Sequence, residues 1–167
     1  LLGLAYPLAM TGLAQVVMPV QAGGSLVSRD GVVIGSSLIG QDFTRPEYLH
    51  PRPSATEPAY NAAASTGSNL GPSSAALLAQ VRDRAAGQGP APVPSGMATA
   101  SGSGLDPHIS PEYAAIQINR IADARGIPAE QLRELVAAHT QGPDAGYLGE
   151  SRVNVLELNI ALDKLEG

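Results

Sequence analysis

The 167-residue chain contains no cysteine and no tryptophan, and only one phenylalanine. Without cysteine it has no disulfide, no thiolate nucleophile and no cysteine-type zinc site. Because Phe43 is the only phenylalanine, a hydrophobic core must be built mainly from aliphatic side chains. The length predicts one domain of ordinary size, large enough to bury such a core.

The motifs of several common enzyme classes are also missing from the sequence. A phosphate-binding P-loop needs a lysine after its glycines, and the only lysine, Lys164, lies near the end of the chain. No serine has glycine two positions away on both sides, so there is no nucleophile elbow. No His-Glu-x-x-His pair occurs. The net charge of −5 argues against a nucleic-acid partner, which requires a basic surface.

Charged side chains are absent from the start of the chain until Arg29. Residues 1–20 are largely apolar, and about 20 such residues match the thickness of a bilayer core. We therefore expect residues 1–22 to form a transmembrane anchor, cut at its amino-terminal end, and residues 23–167 to form an extracytoplasmic domain. Two alternatives stay open: a buried amphipathic helix, or a signal peptide cleaved after Val20-Gln21-Ala22.

Beyond residue 22 the pattern predicts short strands and helices joined by many turns. Asp30-Gly31 between two apolar runs predicts a β-hairpin, because glycine adopts the positive φ of the turn. Prolines make residues 35–72 rich in turns. Helices are predicted over roughly 74–84, over 111–125, from 128 until Gly142-Pro143, and after Asn154; strands at 97–101 and 152–156; and a linker at 86–94. The fold class is therefore α+β, with one N-terminal transmembrane helix followed by a mixed α/β extracytoplasmic domain.

Two loops rich in glycine and serine have similar sequences. Residues 67–72 read Gly-Ser-Asn-Leu-Gly-Pro, residues 102–107 read Gly-Ser-Gly-Leu-Asp-Pro, and each loop precedes a predicted helix. Their glycines permit positive φ, so successive amides can form a turn or an anion-sized nest. The similarity suggests one kind of polar surface built twice, with Asn69, Ser103 and Asp106 as candidate partner-facing or loop-ordering residues. The alternative is that both loops are only tight turns before helices.

Five stretches in chain order carry a resemblance to a known family, and they cover nearly the whole sequence. They are residues 35–41 with Phe43, 50–55, 67–70, 99–106 with 109–111, and 153–163. Together they resemble the C subunit of the Kdp potassium-transporting P-type ATPase. That family has one amino-terminal membrane helix, which is similar to Tyr6-Pro7-Leu8 and its surroundings. This chain departs from the pattern by starting partway through that helix.

The resemblance implies an accessory subunit without catalytic residues, cofactor or metal site of its own. The complex would couple ATP hydrolysis to high-affinity potassium uptake, with ATP handled by a P-type catalytic subunit and potassium by a channel-like subunit. The chain would be a single-pass protein of the inner membrane, in contact with lipid, with its C-terminal domain on the outer face.

The family is described as raising the affinity of the pump for ATP. A domain on the outer face cannot touch a cytoplasmic nucleotide pocket, so such an effect would be a coupling free energy transmitted through the membrane helices. The rival class is a secreted domain with a cleaved signal peptide, which would bind or hydrolyse a small ligand between its serine- and glycine-rich loops.

Overall fold

The computed structural model describes residues 1–86 and 92–165, which fall into two compact units, Leu1–Ile39 and Gly40–Gly167. The sequence-based boundary between residues 22 and 23 concerns a membrane surface and stays a prediction. The linker predicted at residues 86–94 lies mostly at residues 87–91, outside the described residues.

Helices α1 (Ala5–Val17) and α2 (Pro19–Ala22) begin the first unit. Met18 separates them with φ −137° and ψ 60°, because the following proline has no amide and disfavours a helical conformation at the residue before it. Neither helix has a buried residue. Across residues 1–86 and 92–165, no helix combines the length and the apolarity that crossing a bilayer needs, so the expected transmembrane helix is not confirmed.

Strands β1 (Leu26–Arg29) and β2 (Val32–Ser36) form the predicted antiparallel hairpin. Asp30 and Gly31 both have positive φ, 52° and 78°, as a two-residue turn that follows the strand twist requires. The Ser36 hydroxyl donates a hydrogen bond of 2.7 Å to the Gly24 carbonyl. Within residues 1–39, all of which are described, Ser36 is the only buried side chain.

The second unit combines helices with a small sheet. Its described helices are α3 (Ala75–Ala86), α4 (Ser95–Ala98), α5 (Pro111–Arg125), α6 (Ala129–Ala138) and α7 (Val155–Asp163), with a 3₁₀ turn at Ala62–Ala64. Strands β3 (His108–Ile109), β4 (Thr140–Gln141) and β5 (Arg152–Asn154) form an antiparallel sheet in the order β3-β5-β4. The predicted mixture of helices and strands is confirmed.

Helix α5 begins and ends at the residues that the sequence predicts. The Ser110 hydroxyl accepts a hydrogen bond from the Tyr113 amide, and Pro111 occupies the first helical position, where its missing amide costs nothing. Gly126 ends the helix with φ 66°, a conformation that glycine adopts without strain. Asn154 caps α7 in the same way, since its Oδ1 accepts from the Glu157 amide at 3.1 Å.

The strand predicted at residues 97–101 is wrong. Pro94 instead precedes a helical turn, α4, and the Thr99 amide closes it with a 2.9 Å bond to the Ser95 carbonyl. The strand predicted at 152–156 is shorter than expected, because Asn154 ends it by capping α7. Helix α6 also ends early, at Ala138, since Thr140 and Gln141 pair with β5.

The core of the second unit is mostly aliphatic, as the composition predicts. Buried side chains of α5, α6 and α7 meet across β5, and Val153 is fully buried in that strand. Tyr113 is the aromatic residue in this cluster, and Phe43 packs against its edge. The fully buried large side chains are Leu49, Ile121, Leu132, Leu158, Leu162, Val153 and Val155.

Candidate functional site

A proline-rich segment, residues 46–52, crosses helices α5 and α7 and is here called the clamped segment. Proline lacks the amide that a strand of a sheet would donate, so Pro46 and Pro51 exclude ordinary sheet pairing. Its carbonyls still need donors where water is excluded. Each of the seven carbonyls from Pro46 to Arg52 accepts a hydrogen bond from a side chain.

Most of these donors come from one face of α5. Tyr113, Gln117 and Arg120 are four and three residues apart, a spacing that places them side by side along the helix. In the order of the carbonyls, the donors are Arg120, Arg125, Arg120 again, Asn159, Gln117, Tyr113 and Tyr60. The polar side chains of α5 thus serve as the hydrogen-bonding partner that a neighbouring strand would otherwise provide.

Two buried amides hold the centre of the clamped segment on both sides of the backbone. Asn159 accepts from the Leu49 amide at 2.8 Å and donates to the Leu49 carbonyl at 3.1 Å. Gln117 makes the same two bonds to His50, at 2.8 and 3.1 Å. A side-chain amide offers both a donor and an acceptor, so each one replaces a paired strand residue.

An ion pair and two uncharged rings complete the contacts of the clamped segment. The Arg125 side chain is only 3% exposed; it binds the Glu47 carbonyl and pairs with Asp163 at 3.0 Å. Burial lowers the pKa of His50, so the ring is neutral near pH 7 and its Nε2 donates to the Arg45 carbonyl. At the other end, burial raises the pKa of Tyr60 far above its usual range, which keeps the hydroxyl protonated for its 2.7 Å bond to the Arg52 carbonyl.

Asp106 joins the clamped segment to strand β3. Its carboxylate lies 2.9 Å from Arg52 Nη1, accepts from the His108 amide at 3.0 Å and is 3.7 Å from His108 Nδ1. Burial by itself would raise the pKa of Asp106, but the hydrogen bonds from His108 and Arg52 outweigh it and lower the pKa below its ordinary value. Asp106 is therefore ionised and orders its loop.

The two similar loops of the sequence lie in contact with one another. The Thr66 amide and the Ser65 hydroxyl both donate to the Ser103 carbonyl at 3.0 Å. A Cβ on Gly67 would lie 2.8 Å from the Gly102 carbonyl oxygen, so the close approach of the loops requires glycine there. The two loops therefore pack against each other, and their role as a partner-facing surface stays a prediction.

The three candidate residues occupy different parts of this surface. Asn69 is exposed and has φ 53°, a conformation that asparagine tolerates better than most residues. Ser103 is exposed, and its hydroxyl accepts from the Leu105 amide at 3.1 Å. Asp106 is half-buried and engaged with Arg52 and His108.

Sequence reasoning missed the residues that hold the clamped segment. A signal was present, because Gln117 and Asn159 lie between apolar residues on the faces of α5 and α7 that become buried. An amide at a core position has to find hydrogen-bonding partners. Their identity could not be read from the sequence, since Leu49 is 110 residues away from Asn159. Within residues 1–86 and 92–165, no group of three histidine, aspartate or glutamate side chains is placed to hold a metal ion.

The fold and this site define a mixed α/β protein. Its chain begins with uncharged helices, and polar side chains of its second unit hold an irregular, proline-rich segment in place. The family model described as "KdpC: K+-transporting ATPase, c chain" matches residues 1–164. The chain belongs to this family, and the resemblance seen in the sequence is confirmed.

Relatives from several bacteria support the assignment, and all are Potassium-transporting ATPase KdpC subunits. That of Methylobacterium nodulans is 58% identical over 100% of this chain and 91% of its own length. That of Cereibacter sphaeroides is 55% identical over 98% of this chain and 89% of its own length. That of Polaromonas naphthalenivorans is 57% identical over 99% of this chain and 88% of its own length.

Proposed function

We propose that this chain is a non-catalytic accessory subunit of an ATP-driven, high-affinity potassium uptake complex. Its match to the c-chain family over residues 1–164 carries the proposal. The site supports it physically, because the hydrogen-bonding side chains gathered there bind the backbone of the chain itself. The donors of these side chains are thus already used by carbonyls of the chain itself. ATP and potassium would then be handled by the partner subunits, with no cofactor in this chain.

We further propose that residues 1–22 lie in the lipid of the inner membrane as a single-pass anchor, with the C-terminal domain on the outer face. These residues carry no charged side chain, and none of them is buried within the chain. Apolar side chains without protein neighbours are stable in hydrocarbon. Amino-terminal sequencing of the mature protein tests this, since a new terminus at Gly23 would instead support a cleaved signal peptide and a secreted domain.

The partners in this proposal are a channel-like potassium-binding subunit and a P-type catalytic subunit. Asn69 and Ser103 are exposed on the paired loops and available for contact, while Asp106 acts by ordering the loop beneath them. An effect on ATP affinity would reach the catalytic subunit as a coupling free energy through membrane helices, since allosteric coupling requires no shared site.

Co-purification from detergent-solubilised membranes tests the partner surface. Asn69→Lys and Ser103→Lys are expected to lower the yield of the channel-like subunit with this chain, because each adds a charge on a contact surface. Gln131→Lys on exposed α6 is the matched control and is expected to leave the yield unchanged. Asp106→Ala is expected to weaken both assembly and folding. Normal assembly and potassium uptake in all three candidate variants would remove these residues from the interface.

A further inference from the structure

A cavity of about 1160 Å³ lies in the Gly40–Gly167 unit beside the amino-terminal end of α5. It is larger than most small-ligand pockets, which measure about 300–1,000 Å³. Its apolar wall is formed by Val93, Met97, Ile109, Ala115 and Ile116. Ile109 and Met97 are almost fully buried, whereas Ile116 is 44% exposed at the opening. The cavity therefore offers an apolar wall that is open to an incoming side chain.

Among its described residues, the lining of the cavity contains more negative than positive groups that are free of an ion pair. Arg52 pairs with Asp106 at 2.9 Å, and Arg152 pairs with Asp144 at 3.3 Å. The other carboxylates of the lining are Glu112 and Glu150. In the part of the chain that the structure describes, neither of them pairs with a cation. Both are exposed, so the opening presents two carboxylates without counter-ions around an apolar wall.

A preformed loop precedes Glu150 and exposes two further apolar side chains. Asp144 and Leu148 exchange two backbone hydrogen bonds of 2.9 Å, which close the turn between them. Tyr147 is 76% exposed and Leu148 is 55% exposed. Large apolar side chains exposed on a hydrogen-bonded turn are typical anchors of protein interfaces, because a preformed turn reduces the conformational entropy lost on binding.

We propose that this cavity receives a short segment of a partner subunit in which an aliphatic side chain is flanked by lysine or arginine. The aliphatic group would contact Ile116 and Met97, and the cations would pair with Glu112 and Glu150. An anionic ligand would meet these two carboxylates, while both arginines of the lining already have carboxylate partners. The inference rests on the proposed function, since it identifies where one partner of the complex binds.

Photo-crosslinking in the assembled complex tests the inference. The chain has no native cysteine, so Ile116→Cys can be labelled in this subunit with a thiol-reactive benzophenone when the labelled chain is added back to its partners. The expected product joins this chain to one segment of a partner subunit that contains aliphatic and basic residues, identified by mass spectrometry. Gln131→Cys on exposed α6, away from the cavity, is the matched control and is expected to give no such product.

Charge reversal sharpens the test. In the Ile116→Cys background, Glu112→Lys with Glu150→Lys is expected to lower the crosslink yield by about tenfold, because like charges in contact oppose association. Glu112→Gln with Glu150→Gln is expected to have a smaller effect. A yield that both double variants leave unchanged would overturn the role of the carboxylates.

The outcomes distinguish this inference from the proposed function. A complex that assembles and takes up potassium but gives no polypeptide product at position 116 overturns the inference alone. A product with lipid, with a second copy of this chain or with an acidic segment also overturns it. Failure of the unlabelled, unmodified chain to co-purify with any partner would instead overturn the proposed function.

Discussion

The two compact units differ in where their stability comes from. In Leu1–Ile39 neither helix buries a residue, and apolar side chains such as Leu26 and Val32 remain 58% and 64% exposed. In Gly40–Gly167 a continuous cluster of aliphatic side chains is buried between α5, α6, α7 and β5. Burial of apolar surface is the main favourable contribution to folding. The second unit thus carries its own core, whereas the first buries only the side chain of Ser36.

The two units also differ in which groups form hydrogen bonds with their backbone amides and carbonyls. The hairpin of the first unit pairs strand with strand, as Leu26 opposite Ser36 illustrates. The clamped segment of the second unit binds side chains of distant helices instead. A hairpin forms from neighbouring residues, while a clamped segment exists only after the helices have assembled. The prediction is that the second unit loses far more stability when single side chains are removed.

The largest contrast is expected between two leucines. Leu158→Ala, at a site that is 1% exposed, is expected to cost about 2–5 kcal/mol, because it removes buried methyl groups and leaves a cavity. Leu26→Ala, at a site that is 58% exposed, is expected to change stability by less than about 0.5 kcal/mol. Denaturant unfolding of the full chain in detergent micelles measures both. Equal losses would mean that the hairpin packs as tightly as the core.

The next contrast concerns the amides of α5. Gln117→Leu is expected to cost about 2 kcal/mol, since it leaves the amide and the carbonyl of His50 without their partner. Asn119→Leu, two residues further on and exposed, is expected to change stability by less than about 0.5 kcal/mol. Hydrogen exchange of the His50 amide should accelerate only in the first variant. Unchanged protection in Gln117→Leu would show that the clamp is not what holds this segment.

The pH dependence of Asp106 tests the same unit more gently. Its folded pKa is lowered, so its contribution is complete above the ordinary aspartate pKa near 3.8 and is lost as the pH falls through the folded value. Asp106→Asn is therefore expected to be less stable than the unmodified chain at pH 7, with a difference that shrinks below about pH 4. Glu130→Gln, which removes an exposed ion pair with Arg133, should show a small difference. A constant difference for Asp106→Asn would contradict this assignment.

The smallest effect is expected beside Arg52, whose buried Nε has no hydrogen-bond partner among the described residues. A Cβ on Gly96 would lie 3.9 Å from this nitrogen, so a serine hydroxyl there can reach it. Gly96→Ser is expected to be more stable than Gly96→Ala by about 1 kcal/mol, the usual net value of one hydrogen bond. Thermal unfolding of the two variants measures the difference. Equal stability would show that Nε gains nothing from an added acceptor.

Local signals in the sequence predicted the elements whose residues are neighbours in the chain. The Asp30-Gly31 turn and the caps at Ser110, Gly126 and Asn154 all depend on residues within one or two turns of each other. The two-residue strands β3 and β4 were not predicted, because both pair with β5, which is distant from them in the chain. The strand predicted at residues 97–101 is wrong, because Met97 lies in the helical turn α4, which follows Pro94.

For the candidate surface, the sequence similarity of the two loops could be read directly, whereas contacts between distant residues could not. The similarity of residues 67–72 and 102–107 pointed to one kind of polar surface built twice, and the loops do meet at Gly67 and Ser103. The central role of Arg52 and Gln117 was missed, since their partners are far away in the chain. Membership of the c-chain family could be predicted, because five stretches between residues 35 and 163 resemble that family in the same order.

By itself the sequence determined the uncharged start of the chain, the aliphatic core, the turn at Asp30-Gly31 and the ends of α5, since each follows from composition or from hydrogen bonds between near neighbours. Only the tertiary structure decided that residues 46–52 form a segment held by Gln117 and Asn159. A carbonyl that is buried accepts a bond from whichever donor the fold brings within 3 Å or so. Distance in the chain says nothing about which donor that is.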